Sequence, residues 1–352
     1  MSRSNNLAVS VAAKAPAKLI ISGEHAVVYG HPSIAIAVDL YAISTVSYSN
    51  NKQNLLGFDF ANLKYTAKHT INTLSKLKDR AYLDYQRFLS GECSIREVLN
   101  KPFELLQFAV SHFLDRLNIA LPGGIDLKTH SNIPVGCGMG SSAATILSLL
   151  YAVGNLLDLK LTKDKYIELS REAENLQHGK SSGLDLHLTA LGGGMRYQNG
   201  KFTPINVHTN NLYLIHTGRP VVTTGQCVQT VKKHFENINN IGHSFAEVTL
   251  SLEQELLNNN LSEIILLMRE NHKLLNYIGV VPEKVNNFIT NIEANCGAAK
   301  ICGAGAVAGD QAGAVLAICP DFTSIDYLRN LSATMGYTMQ SVTVDNYGIR
   351  IL

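Results

Sequence analysis

The sequence is poor in charge, in paired cysteines and in long apolar runs. Only 16% of its 352 residues are Asp, Glu, Lys or Arg, against about a quarter in ordinary globular chains. The formal net charge is +2, so the basic excess that marks a nucleic-acid surface is missing. Disorder is excluded too, because it needs low hydrophobicity with high net charge, and here 46% of residues are hydrophobic. The longest greasy stretch, 143–157, is interrupted by Thr145, Ser148, Gly154 and Asn155. It falls short of the roughly 20 apolar residues of a membrane span. The first sixteen residues carry one early arginine and a short apolar patch, which is not a signal-peptide pattern. Cys93, Cys137, Cys227, Cys296, Cys302 and Cys319 are scattered, with no CxxC. Metal ribbons and a dense disulfide framework are disfavoured, and a reduced, cytoplasmic protein is expected. No GxxxxGK[ST] string occurs, so there is no Walker A loop.

What the chain does have is glycine, 27 residues of it. Its length predicts two domains or one large one, with enough chain for a sizeable core. Val/Ile-rich runs within 8–48, broken at Gly30-His31-Pro32, predict strands around a turn. Residues 64–120 read as largely helical, with Phe103, Leu106, Val110, Phe113, Leu114 and Leu117 at helical spacing. A strand is expected at 125–131, then a helix with Ile146, Leu149, Leu150, Val153, Leu156 and Leu157 on one face. Another helix is expected over 163–177, stopped by Gly179. Beyond a strand at 192–200, strands at 212–216, 299–301 and 313–319 are interleaved with helices at 225–236, 243–275 and 321–335. This order predicts an α+β fold of two lobes, 1–205 and 206–352, joined near 200–212.

Four segments can carry chemistry. In PVGCGMGSSAATI (134–146), Gly136, Gly138 and Gly140 let the backbone pass close to a ligand. Ser141 and Ser142 then open a helix whose unpaired N–H groups suit a phosphate. The serines are also ordinary cap residues, or ligands of a Mg²⁺ carried with phosphates. KLIISGEHAVVYGHP (18–32) brings Lys18, Glu24 and His25 into one strand–turn segment, and reads equally as polar groups at a strand end. EAENLQHGKSSGLDLHLTALGGG (172–194) holds Glu174 and Asp185, which can hold Mg²⁺ or abstract a proton. Alone, they read as a solvated helix acid and the N-cap of a helix over 186–191. KICGAGAVAGD (300–310) is either a second backbone clamp or a tight turn between packed elements.

Together these segments resemble the GHMP family of small-molecule kinases. The 134–144 stretch looks like the family's PxGxGLGSSAA phosphate loop, with Met139 where Leu is usual. GEHAVVYG (23–30) is similar to the first motif of the family's mevalonate-kinase branch, whereas galactokinases tend to read GEHTDYNGG. HGKSSGLD (178–185) looks like HGxPSGxD, with Ser181 in the Pro place. The third motif, near KLTGAGGGGC in the family, departs here at Ala306, Val307, Ala308 and Asp310; the added side chains make close approach to a phosphate harder.

The resemblance implies a ribosomal-protein-like βαβ lobe and a ferredoxin-like lobe with the site between them. It implies ATP and Mg²⁺ as cofactors, and phosphorylation of the primary hydroxyl of mevalonate in isoprenoid synthesis. Asp185 matches the catalytic Asp that takes the hydroxyl proton, and Lys18 its partner. Ser142 and Glu174 match Mg²⁺ ligands. Gly136, Cys137, Gly138, Met139, Gly140, Ser141 and Ser142 match the ATP loop. Glu24 and His25 match residues beside mevalonate, and Arg196 is a candidate for its carboxylate because a planar guanidinium suits that group. No nucleic-acid or membrane partner is expected, and a homodimer is the family default. The rivals are another GHMP kinase, acting on phosphomevalonate, homoserine or a sugar, and an inactive GHMP-fold regulator. GEHAVVYG weighs against the first, and Lys18, Glu174 and Asp185 against the second.

Overall fold

The computed structural model describes residues 10–49, 54–207, 211–237, 240–295 and 297–352. The chain begins with β1 (Ser10–Ser22), β2 (Ser33–Tyr48), β3 (Leu55–Phe60) and β4 (Tyr65–Thr70). Helices α1 (Ile71–Leu89) and α2 (Glu104–Arg116) precede β5 (Ile125–Ser131). Helices α3 (Ser141–Leu156), α4 (Lys163–His178) and α5 (Leu184–Leu191) lead to β6 (Gly194–Gln198) and β7 (Lys201–Ile205). After β8 (Leu212–His216) come α6 (Thr224–Asn237), α7 (Ile241–Asn258), α8 (Leu261–Tyr277) and α9 (Glu283–Asn295). The chain closes with β9 (Ala298–Ile301), β10 (Ala314–Ile318), α10 (Phe322–Thr334), β11 (Thr338–Val342) and β12 (Arg350–Ile351).

The strands form two sheets. The first has the order β12-β1-β2-β5-β3-β4, with β6 on the beginning of β2 and β7 on β6. The second has the order β11-β8-β10-β9. In its own chain order that is fourth, first, third, second, with helices in the first and last connections, which is the split βαβ arrangement of ferredoxin-like folds. The fold is thus α+β with a distinct sheet in each half. The final strand crosses back: Ala13 pairs with Ile351 and Lys14 with Arg350.

Side-chain alternation along β1 sets up the site. Ala13, Ala15, Ala17, Leu19 and Ile21 point into the main core, because successive residues of a strand face opposite ways. The small alanines let α3 lie close over β1 and β2. Its Ile146, Leu149, Leu150 and Val153 have no exposure, and each stabilises by about 2 kcal/mol on burial. The N-terminus of α3 is therefore fixed relative to β1. On the other face, Ile20, Ala35 and Ala37 meet Leu184 and Leu188 of α5 and Met195 of β6. Leu184 and Leu188 are one turn apart and seat one edge of α5 here, while Leu186 and Ala190 seat its other edge in the main core. The main core continues into the second half through Leu214, Leu252, Met268 and Leu316. A second core, with Ile215, Phe288, Val315 and Leu328, covers the other face of the second sheet.

Three local expectations need correction. Residues 65–70 are strand, not helix. YTAKHT alternates half-buried and exposed positions, pairs with β3 along its length, and is rich in β-formers. Residues 283–295, which carry no expected element, form α9, with Val285, Phe288, Ile289 and Ile292 buried at helical spacing. Asp185 is not an N-cap; that place is Gly183, and Asp185 lies in the first turn of α5. Residues 1–9, where a leader was discounted, residues 208–210 of the expected lobe junction, and Cys296 lie outside the described residues. Among the described residues no helix is long and apolar enough to cross a membrane.

Candidate active site

The glycine-rich loop joins β5 to α3. Gly136, Gly138 and Gly140 have φ of +78°, +71° and +68°, which L side chains rarely adopt. Gly140 is the N-cap of α3, and no side chain caps the helix. The serines thus do not serve as caps: Ser142 Oγ instead donates to Glu174 Oε1 at 2.7 Å. The first N–H groups of α3 face the loop together with the positive end of the helix dipole, which makes the place an anion cradle.

Lys18 joins β1 both to this loop and to α5. Its backbone N–H donates to Met139 O at 3.0 Å, and its Nζ lies 3.2 Å from Asp185 Oδ1. Gly140 packs against the pair. A Cβ there would sit 3.0 Å from Lys18 Cγ and 3.3 Å from Asp185 Oδ2. A lysine from one sheet face, an acid from α5 and the N-terminus of α3 therefore meet at one point.

Glu174, on α4, is 2% exposed. Burial pushes its carboxyl up; His178, 3.9 Å away one turn later, opposes the shift, and Asp185 adds to it. His178 Nε2 also lies 3.3 Å from Ser142 Oγ. Here a cavity of about 310 Å³ opens, with Asp185, Ser142 and His178 on one side and Phe60, Leu105 and Leu106 on the other. A hydroxyl and a desolvated carboxylate beside a phosphate cradle fit Mg²⁺, which takes one or two carboxylates and completes its shell with phosphate oxygens and water. Among the described residues no group of three or more His, Cys, Asp or Glu forms a self-contained metal site, and a phosphate-carried Mg²⁺ requires none.

Glu24 and His25 lie where the first motif meets the third. Glu24 is 1% exposed, and its Oε1 accepts from Nζ of Lys300, which has no exposure. Lys300 also donates to Ile20 O at 3.2 Å. Burial pushes the Glu24 carboxyl up, with the Lys300 ammonium pulling against it. His25 Nε2 is 3.0 Å from Ala304 O. A carbonyl only accepts, so Nε2 carries the proton and buried Nδ1 is a bare acceptor without a protein partner. Burial also holds the His25 pKa down. Arg196 sits apart on β6, its Nη1 donating to Glu253 Oε2 at 2.8 Å; the structure pairs it with an acid already.

The third glycine loop touches the first. A Cβ on Gly138 would lie 3.4 Å from Gly303 Cα, so the two backbones are in van der Waals contact. The residues that depart from the family string lie past this contact. Ala306 N–H is engaged with Val280 O at 2.9 Å, and Asp310 is exposed. They do not intrude between the loops at 138 and 303.

Sequence reasoning passed over several residues of this region. Lys300 had a signal, a lone cation in an otherwise apolar AAKI strand. His178 had a weaker one, its position four residues after Glu174. Arg96 and Arg219, which flank the first loop in a second cavity, had none, because only tertiary folding brings them there.

Comparison with known proteins agrees with this geometry. Residues 104–193 match the family model described as GHMP kinases N terminal domain. The mevalonate kinase of Pyrococcus horikoshii is 32% identical over 309 residues, spanning 84% of this chain and 86% of that protein. That of Thermococcus onnurineus is 29% identical over 351 residues, spanning 97% and 98%. The crystal structure of the Methanococcus jannaschii mevalonate kinase superposes with a TM-score of 0.80 at 22% identity, covering 97% of this chain and all of that one; at that identity the likeness speaks for the fold.

Proposed function

The chain belongs to the mevalonate kinases of the GHMP family, and from that membership we infer that its cleft transfers the γ-phosphoryl group of ATP to the 5-hydroxyl of mevalonate. The observation that carries this reading is the Lys18–Asp185 pair at 3.2 Å, packed against Gly140 at the head of the phosphate loop. Phosphoryl transfer asks little covalent work of a protein; it asks for positioning and for charge neutralisation. The backbone of 136–142 receives the phosphates. Asp185 orients the acceptor hydroxyl and takes its proton as transfer proceeds. Lys18 holds that carboxylate in place and steadies the charge on the group in flight.

We assign Mg²⁺ to Ser142 and Glu174, which would hold it; it would supply positive charge that neutralises the phosphates. The desolvated Glu174 carboxyl supports the assignment, since a nearby cation favours its ionised form. Glu24 and His25 are assigned to the mevalonate end, where His25 Nδ1 is an open acceptor for a hydroxyl. Arg196 is assigned to the substrate carboxylate, which has to compete with Glu253 for it. Residues 1–205 are assigned to the lobe that binds ATP and substrate, and 206–352 to the lobe of the third loop, with β12 returning to the first.

The test is ADP release in a coupled assay with mevalonate, phosphomevalonate, homoserine and galactose, each with and without Asp185→Asn. Turnover is expected with mevalonate. The variant should keep its ATP affinity and lose kcat by orders of magnitude. Near-normal turnover by the variant refutes the role of Asp185, and turnover confined to another alcohol refutes the substrate.

A further inference from the structure

Beside the phosphate loop lies a second cavity of about 600 Å³, bounded by Gly136–Gly138 on one side and Ala304 and Gly305 on another. Two arginines from unrelated segments, Arg96 and Arg219, line it, and no acidic residue does. Arg219 Nε comes within 3.6 Å of where a Cβ on Gly136 would sit. Both arginines are exposed, and among the described residues neither forms an ion pair. The acid next to Arg96 in sequence is committed elsewhere: Glu97 accepts from Ser94 N–H at 2.7 Å, closing a capping box that fixes the turn carrying Arg96. The strand that ends before Arg219 is fixed likewise, through Gly313 N–H to Gly218 O at 3.1 Å.

Two guanidinium groups that share one acid-free cavity and have no ion-pair partner offer an anion two charge-assisted contacts. We infer that Arg96 and Arg219 form a side-chain clamp on the nucleotide's polyphosphate, opposite the backbone cradle of the glycine loop. This rests on the reading that the loop takes ATP. The clamp lies toward Gly136, whereas Lys18 and Asp185 meet the loop at Gly140. It therefore holds the diphosphate that leaves, not the group transferred. Arginine suits the task because its planar fork engages two phosphate oxygens together. Charge grows on the leaving diphosphate during transfer, so the same contacts strengthen as the reaction proceeds.

The experiment measures dissociation constants of ATP, ADP and AMP by calorimetry for wild type, Arg96→Gln, Arg219→Gln, the double variant and the two Arg→Lys variants. Each Gln variant should weaken ATP and ADP about tenfold, the worth of one charge-assisted hydrogen bond. The double variant should weaken them further, and Lys should restore part of the loss. AMP, which keeps only one phosphate of the clamped diphosphate, should lose clearly less affinity than ATP and ADP. Melting of the ligand-free variants should match wild type, since both side chains are exposed. ATP and ADP affinities within twofold of wild type overturn the proposal, and so do equal losses for all three nucleotides. A wild-type protein that binds no ATP defeats the reading of the loop itself, which the variants alone cannot do.

Discussion

Gly140→Ala tests whether the phosphate loop holds the Lys18–Asp185 pair in register. The substitution does two things that can be separated. It places an L residue at φ +68°, which costs roughly 1–2 kcal/mol in the left-handed region. It also puts a Cβ 3.0 Å from Lys18 Cγ and 3.3 Å from Asp185 Oδ2, so both side chains must give by a few tenths of an ångström. A misplacement near 1 Å can cost about a hundredfold in rate; a few tenths is expected to cost about tenfold. Gly336→Ala supplies the control. Its φ is +71° and nothing lies within 4 Å of the new Cβ, so it carries the backbone strain without the contact. Urea denaturation should show similar stability losses for both variants. The coupled ADP assay at saturating ATP and mevalonate should show a kcat loss only for Gly140→Ala. If the two variants have kcat within twofold of each other, the loop does not set the geometry of the pair.

Two further outcomes follow from buried charge. Lys300→Met leaves Glu24 buried without its cation, which should cost about 3–5 kcal/mol; adding Glu24→Gln should return much of that, and urea midpoints for the two single and the double variant check it. Equal stability for Lys300→Met and wild type would show that the pair contributes nothing. His112 and His272 are buried and neutral, each with its pKa pushed down to about 4 mainly by desolvation. A depressed histidine lets the unfolded chain take protons first, so stability is full above the ordinary value near 6.5 and falls as the pH drops toward 4. Between pH 7.5 and 5 the two together should remove about 4 kcal/mol, measured by urea denaturation at each pH, and a His112→Gln/His272→Asn variant should flatten the dependence. A wild-type profile already flat over that range contradicts the burial argument.

The parts of the fold that were legible in the sequence are those governed by local rules. Strand β5 and helices α3 and α4 appear where alternation, 3.6-residue spacing and Gly179 put them. The glycine loop was legible because positive φ at three alternating positions is a backbone requirement that few residues meet. Strand β4 was not, since six residues beside a long helical pattern give too little signal until β3 pairs with them. The Lys18–Asp185 pair joins residues 167 positions apart through a sheet face and the seating of α5; the sequence announces its members only through the family motifs. Arg196 shows the opposite limit. Its fork suits a carboxylate, and the carboxylate it holds in the structure belongs to Glu253.

The low charge of the chain bears on how an anion is held. Three cations of the region are each matched by an acid: Lys18 by Asp185, Lys300 by Glu24 and Arg196 by Glu253. As pairs they add little net positive field. What draws a polyphosphate is then the N–H array and dipole of α3 at Gly140, which are structural and carry no formal charge. Arg96 and Arg219 supply the unmatched positive charge at the other end of the loop. The division has a mechanistic logic. On the proposed assignment, a matched lysine at the reacting end keeps Asp185 in place without binding the nucleotide too tightly before transfer. Unmatched arginines at the far end bind the part of ATP that does not change hands, and binding energy taken there can be spent on positioning.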